Sequence, residues 1–303
     1  MHAHSHERTS AVLKLSLLAT LLYIILLIAA GVRANSLALL SEAGHNFSDF
    51  LSLLLSWVAV FLEARPPDEQ KTYGYHRAGV LAAFVNAALL IVVAGFIFWE
   101  AWTRLRVPEP VEPGLMMAVA AVGVAMNGVI AYLLWRTGRD VNLRSALVHQ
   151  VGDTASTASV IAGGALILWS GQTWIDPALS VLIGVLVLWS SLGIIRETLN
   201  ILLEGTPRGL KLEEVTREIA AGDGVIGVHD LHVWSLGSEV HALSCHIRIV
   251  DIPPSQSEAI LRDVNCRLLD RFGIRHTTIQ FEHEACESEC AIPVMPGKHL
   301  HRH

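Results

Sequence analysis

Two His-x-x-x-Asp strings, His45-Asn46-Phe47-Ser48-Asp49 and His149-Gln150-Val151-Gly152-Asp153, stand inside long apolar stretches of this 303-residue chain. In a helix, residues i and i+4 lie one turn apart on one face, so each string presents an imidazole and a carboxylate together. Four such groups make a tetrahedral nitrogen and oxygen set suited to a divalent metal such as zinc. Ionisable groups at membrane depth are costly and mark paths for ions or protons. Zinc takes neutral imidazole and ionised carboxylate, so its binding competes with protons. An emptied site in an apolar setting favours reprotonation. A site reached alternately from each side would therefore exchange metal for protons. The plainer alternative is two separate His-Asp pairs that hydrogen-bond helices together; one spacing repeated at similar depth argues against it. Glu42, Asn46 and Asn86 are expected to line the path or bridge helices rather than bind metal.

The elements that must position these groups follow from composition. Hydrophobic residues make up 52% of the chain and charged residues 17%, with a mean hydropathy of +0.47. Apolar spans run over 11–32, 37–62, 79–103, 114–135, 143–170 and 175–203, each long enough to cross ~30 Å of hydrocarbon at about 1.5 Å per residue. The first is too long for a secretory signal and no small-residue cleavage site follows it. After Thr206 charged residues mix with short alternating apolar runs. The expected fold is a membrane α-helical bundle of six transmembrane helices followed by a C-terminal α+β domain. Its parts are a His-bearing segment 1–10, the membrane domain 11–206, the α+β domain 207–284 and a Cys/His-bearing tail 285–303.

Orientation follows from Lys and Arg in short loops. With the N-terminus inside, the inner segments hold Arg8, Lys14, Arg65, Lys71, Arg77, Arg136, Arg139, Arg144 and Arg196, and the outer ones only Arg33, Arg104 and Arg106. Both termini are thus expected in the cytoplasm, in a multi-pass protein of the bacterial inner membrane. Cys245, Cys266, Cys286 and Cys290 all fall in the C-terminal part, where a reducing compartment favours free thiols or metal ligands over disulfides. A net charge of −6 gives no reason to expect nucleic acid.

Gly123, Gly128, Gly163, Gly164 and Gly184 would let helices approach closely. Trp99, Trp102, Trp135, Trp169 and Trp174 stand near span ends, as an interfacial belt does. The C-terminal part reads helix, strand, strand, helix, strand (αββαβ), over 212–221, 225–236, 239–250, 255–272 and 277–282. The ends, Met1 to His6 and Lys298 to His303, lack packing periodicity and are expected to be mobile.

Together these motifs resemble the cation diffusion facilitator family. The likeness rests on Ser41-Glu42-Ala43-Gly44-His45 and Leu147-Val148-His149, each with its Asp four residues on. Tyr73-Gly74-Tyr75-His76-Arg77 and Val228-His229-Asp230-Leu231-His232-Val233-Trp234 extend it over about residues 10–283. It implies a homodimeric antiporter that exports zinc, or a related divalent ion such as cadmium or cobalt, against protons, with a metallochaperone-like cytoplasmic domain. By that resemblance His45, Asp49, His149 and Asp153 form the transport site, in the two-His, two-Asp version that looks zinc-preferring.

The same resemblance implies a structural metal on His229, His246 and Glu282. Two paired strands and the end of a third make their convergence feasible, and solvated strand histidines are the other reading. His232 and His283 should alternate to the opposite face. Some relatives join a cysteine pair after the last strand to an N-terminal His cluster, here Cys286 and Cys290 with His2, His4 and His6. The Cys spacing is a residue wider than Cys-x-x-Cys, so a tail with unpaired thiols stands beside that reading. A loop site of some bacterial members keeps only Asp68, with Lys71 and Tyr75 at its other positions, so no metal is expected there. Arg77 and Glu204 match an inter-subunit or hinge ion pair between membrane and cytoplasmic parts; the alternative is two ordinary juxtamembrane charges. An intramembrane protease would need His-Glu-x-x-His on a helix, and no such string occurs. A metal-uptake channel or membrane metal sensor could use the same ligands, and only the resemblance and the ligand-rich ends favour export.

Overall fold

The structure is a computed structural model that describes residues 3–63, 65–137, 141–237 and 240–284. It divides into two units. One comprises residues 1–60 and 82–196, the other residues 61–81 and 197–303.

The first unit is helical. The chain forms α1 (Ala3–Arg33), α2 (Leu37–Glu63), α3 (Arg77–Arg106), α4 (Pro113–Thr137), α5 (Val141–Ser170) and α6 (Ile175–Leu202), the ends of some passing into the second unit. Helix α1 begins at Ala3, before the apolar stretch that starts at residue 11. Among the described residues, four stretches are long and apolar enough to cross a membrane: Arg77–Arg106, Pro113–Tyr132, Gln150–Ser170 and Ile175–Leu202. Helix α1 offers a shorter apolar run, Leu18–Arg33. Helix α2 carries Glu42, His45, Asn46 and Asp49 within its apolar sequence. Large apolar side chains face outward along these helices, with Trp169 85% and Trp189 81% exposed. That much apolar surface needs a covering.

The core of this unit gathers Tyr23, Leu27, Leu39, Met116, Val160 and Ile183 from five helices. Gly123 is filled from outside by the Tyr23 side chain, Gly163 by Leu179, Gly164 by Met117 and Gly184 by Phe98. Those four are close-approach points, as expected. Gly128 is not: among the described residues nothing from a neighbouring element comes within 4 Å of where its Cβ would stand.

Asp176, fully buried on α6, secures the start of α2. Its carboxylate accepts from Ser36 Oγ (2.5 Å), Leu37 N (2.7 Å) and Ala38 N (3.2 Å), while Ser36 Oγ accepts from Leu39 N (3.2 Å). The first amides of α2 are thereby satisfied, which an isolated helix end would leave open.

The second unit contains α7 (Leu212–Ala220), β1 (Val225–Ser235), β2 (His241–Ile249), α8 (Pro254–Phe272) and β3 (Ile274–Glu282). The αββαβ order matches the expectation, with β3 starting three residues earlier than its alternation suggested. The sheet order is β1-β2-β3. Antiparallel β1 and β2 form a hairpin, and β3 returns parallel to β2 after α8. Gly273 ends α8 in the left-handed region (φ 67°), which a glycine adopts without strain. Val215 and Ile219 of α7 and Val264 and Leu268 of α8 pack with Val233, Leu243, Cys245 and Ile247 of the sheet. Alternation then puts Ser244, His246 and Arg248 on the face away from the helices.

Candidate metal centres

In the first unit α2 supplies His45 and Asp49 one turn apart, and α5 supplies Asp153. His45 Nε2 lies 3.1 Å from Asp153 Oδ1 and 3.7 Å from Asp49 Oδ2, all three side chains half-buried. One ligand atom from each falls within 4.8 Å of the others. Bond lengths of about 2.0–2.2 Å in a tetrahedral zinc site put ligand atoms about 3.3–3.6 Å apart, and the two measured separations bracket that range. His149 stands on α5 one turn before Asp153, but its side chain lies outside the described residues. A cavity of about 500 Å³ opens on the cluster and is lined in addition by Ser48, Ser52, Ser190 and Ser191.

Of the three polar residues expected to line the path or bridge helices, Glu42 and Asn86 bridge, while Asn46 bonds within α2. Glu42 is fully buried, its carboxylate accepting from Thr157 Oγ1 (2.5 Å) and Ser156 Oγ (3.1 Å) of α5. Asn46 Nδ2 donates to the Glu42 carbonyl (2.9 Å), and Asn86 Nδ2 to Ser52 Oγ (2.8 Å), tying α3 to α2.

The second unit brings His229, His246 and Glu282 together. His229 Nε2 is 3.1 Å from Glu282 Oε2 and His246 Nδ1 is 3.0 Å from Glu282 Oε1. His229 and His246 are directly paired across β1 and β2, their rings 5.2 Å apart. His229 Nε2, His246 Nδ1 and Glu282 Oε2 are buried and make no hydrogen bond. Buried polar atoms are normally satisfied, and three orphans on one point fit a metal ion.

The expectation for His232 is corrected. A bulge between His229 and His232 interrupts the ladder, with Asp230 at φ 49°. The extra residue restores His232 to the face of His229, where it pairs with Ser244 rather than alternating away. Asp230, quoted above only as part of a motif, turns Oδ1 to His232 Nε2 (2.9 Å) and Oδ2 towards His246 Nε2 (3.9 Å). His283 follows β3 and is exposed.

The remaining candidates sort as follows. Arg77 Nη2 and Glu204 Oε1 form an ion pair of 3.0 Å within this one chain, exposed at both ends. Asp68 accepts from Lys71 N (2.7 Å), Gln70 N (2.8 Å) and Tyr75 hydroxyl (3.1 Å), so its own loop engages it. Those backbone amides, Lys71 first, hold its carboxyl below the usual range. Cys245 sits in the core, where burial pushes its thiol up to about 12, and an uncharged buried thiol is a poor ligand. Cys266 is free and exposed. His2, Cys286, Cys290 and the side chains of His4 and His6 lie outside the described residues.

Comparison with known proteins agrees with both units. Residues 13–203 match the cation efflux transmembrane domain and residues 207–284 the cytoplasmic domain of cation efflux proteins. The chain is 35% identical over 309 residues to the cadmium, cobalt and zinc/H(+)-K(+) antiporter of Bacillus subtilis, covering 100% of this chain and 99% of that one. It is 36% identical over 315 residues to the zinc transporter ZitB of Escherichia coli, covering 99% of each. The solved metal-bound C-terminal domain of the CzcD transporter from Cupriavidus metallidurans is 38% identical, spanning 24% of this chain and 99% of its own, with a TM-score of 0.22. With family models matched from residue 13 to residue 284 and relatives aligned end to end, this chain belongs to the cation efflux family of membrane transporters.

Proposed function

We propose that this chain moves zinc, and related ions such as cadmium or cobalt, out of the cytoplasm in exchange for protons. His45, Asp49, His149 and Asp153 form the transport site on this reading. The observation that supports it most is the 3.1 Å approach of His45 Nε2 to Asp153 Oδ1 from two different helices of the membrane domain. Glu42 meets Thr157 and His45 meets Asp153, so α2 and α5 run antiparallel, and the same register carries position 149 to the level of Asp49. The printed names of the relatives, a zinc transporter and a cadmium, cobalt and zinc antiporter, support the same cargo.

The exchange follows from charge. Two carboxylates neutralise one divalent ion; left bare in a low-dielectric site they are costly, so departure of the metal draws protons in. The neighbouring cavity extends past Ser52, Ser190 and Ile194, towards the C-terminal ends of α2 and α6. Leu39, Ala43 and their neighbours on the other side are buried. Metal thus enters from the side of those C-terminal ends. Six spans, with both termini in the cytoplasm of a bacterial inner-membrane protein, fit the distribution of Arg and Lys. The cytoplasmic domain serves as the contact with a second copy, and His229, His246 and Glu282 would hold a resident metal tying its three strands together.

The test is zinc-driven proton movement in inverted vesicles. Wild-type protein should release protons on zinc addition, and Asp49→Ala or Asp153→Ala should abolish this while both variants remain folded. Undiminished exchange in both would overturn the proposal, and zinc passage without proton movement would make the protein a channel.

A further inference from the structure

Glu42 and Asp176 are fully buried carboxylates in the described part of the first unit. Asp176 completes the start of α2. Glu42 is not at a helix end, and it is outside the group of ligand atoms around His45. Nor does it line the cavity that opens on those ligands. A buried carboxylate costs several kcal/mol unless its oxygens are satisfied, and a leucine would fill the space without that cost.

What the carboxylate does is span two helices. Oε1 accepts from Thr157 Oγ1 (2.5 Å) and Oε2 from Ser156 Oγ (3.1 Å), consecutive residues of α5, while Asn46 Nδ2 stands 3.4 Å from Oε1. Thr157 lies one turn beyond Asp153, and its hydroxyl is also 2.9 Å from the Asp153 carbonyl oxygen. On α2, Glu42 lies one turn before His45. The bridge therefore sits one helical turn from the His45–Asp153 contact, measured along both helices, and shares a residue with the turn that carries Asp153. Two side-chain bonds to adjacent residues of α5 fix both the sliding and the rotation of one helix on the other.

The geometry points to Glu42 as a positioning residue for the metal site. Through Ser156 and Thr157 it sets the register in which α2 and α5 deliver their ligands, without touching the metal itself. This deepens the proposed function and rests on it. Outer partners of this kind alter metal affinity by about 10–100-fold.

The experiment measures zinc KM and maximal rate for the full-length protein in proteoliposomes, with Glu42→Ala, Glu42→Gln, Thr157→Val and the Glu42→Ala/Thr157→Val double variant. Thr157→Val keeps the shape of the side chain and removes only the hydroxyl, so it still reads the bridge should Glu42→Ala fail to fold. KM should rise about 10–100-fold in Glu42→Ala and about 10-fold in Thr157→Val, with maximal rate changed less than threefold. The double variant should be no worse than Glu42→Ala, since both remove one bridge. Glu42→Gln, whose amide can accept from Thr157 and donate to Ser156, should recover most of the loss. Glu42→Gln as impaired as Glu42→Ala, or Thr157→Val with an unchanged KM, would overturn the assignment; the first result would make the charge itself the active feature. Failure of wild-type protein to bind zinc at His45 would instead overturn the underlying transport reading.

Discussion

Removing the Asp176 carboxylate should loosen the helix that carries His45 and Asp49. Asp176 Oδ1 and Oδ2 receive Ser36 Oγ, Leu37 N and Ala38 N at 2.5, 2.7 and 3.2 Å, with no exposure to solvent. Hydrogen bonds to a charged group contribute about 1.5–3 kcal/mol each, so Asp176→Ala forfeits at most roughly 4–9 kcal/mol. A water entering the vacated space returns part of this, and Ser36 still accepts from Leu39 N. We expect a net loss of about 3–6 kcal/mol. At ~2 °C per kcal/mol for a large domain, the melting temperature of purified protein in detergent should fall by at least ~6 °C. Asp176→Asn keeps one acceptor oxygen and should fall by about half as much. An Asp176→Ala variant melting within ~2 °C of wild type would refute the idea that this carboxylate secures α2.

Two further perturbations probe other parts of the molecule. His45→Asp replaces a nitrogen ligand with oxygen in a site poised at 3.1–3.7 Å spacings, and should broaden transport towards cadmium; an unchanged zinc-to-cadmium rate ratio in vesicles would count against a direct ligand role. Asp68 is held below the ordinary carboxylate range by the amides of Lys71 and Gln70. Its support of the loop is therefore complete above the unfolded value of about 3.9 and is lost as pH falls through the lowered folded value. Hydrogen exchange at the Lys71 amide should accelerate beyond its intrinsic pH trend only below that value, and acceleration already at pH 6 would contradict the geometry.

The meeting of His45, Asp49 and Asp153 was legible in part because a helix repeats every 3.6 residues, so the four-residue spacing of His45 and Asp49 survives folding as a shared face. The αββαβ order was legible for a similar local reason, from the alternation of short apolar runs. What escaped the sequence was non-local or irregular. Asp176 finds Ser36 140 positions away, and nothing near either residue announces the other. The role of Glu42 needed Ser156 and Thr157, which look like ordinary small polar residues on α5 until the helices are set side by side. His232 was misplaced because strand alternation assumes an unbroken ladder, and Asp230 at φ 49° breaks it. Gly128 shows that a small residue permits a close approach without creating one.

The central claim is that one metal ion is held between α2 and α5 by imidazole and carboxylate. Anomalous scattering at the zinc edge from crystals of the loaded protein tests it most directly. The account predicts a peak about 2.0–2.2 Å from His45 Nε2 and from carboxylate oxygens of Asp49 and Asp153, separate from any peak at His229, His246 and Glu282. Zinc at the second cluster with nothing between α2 and α5, in protein that still transports, would contradict it.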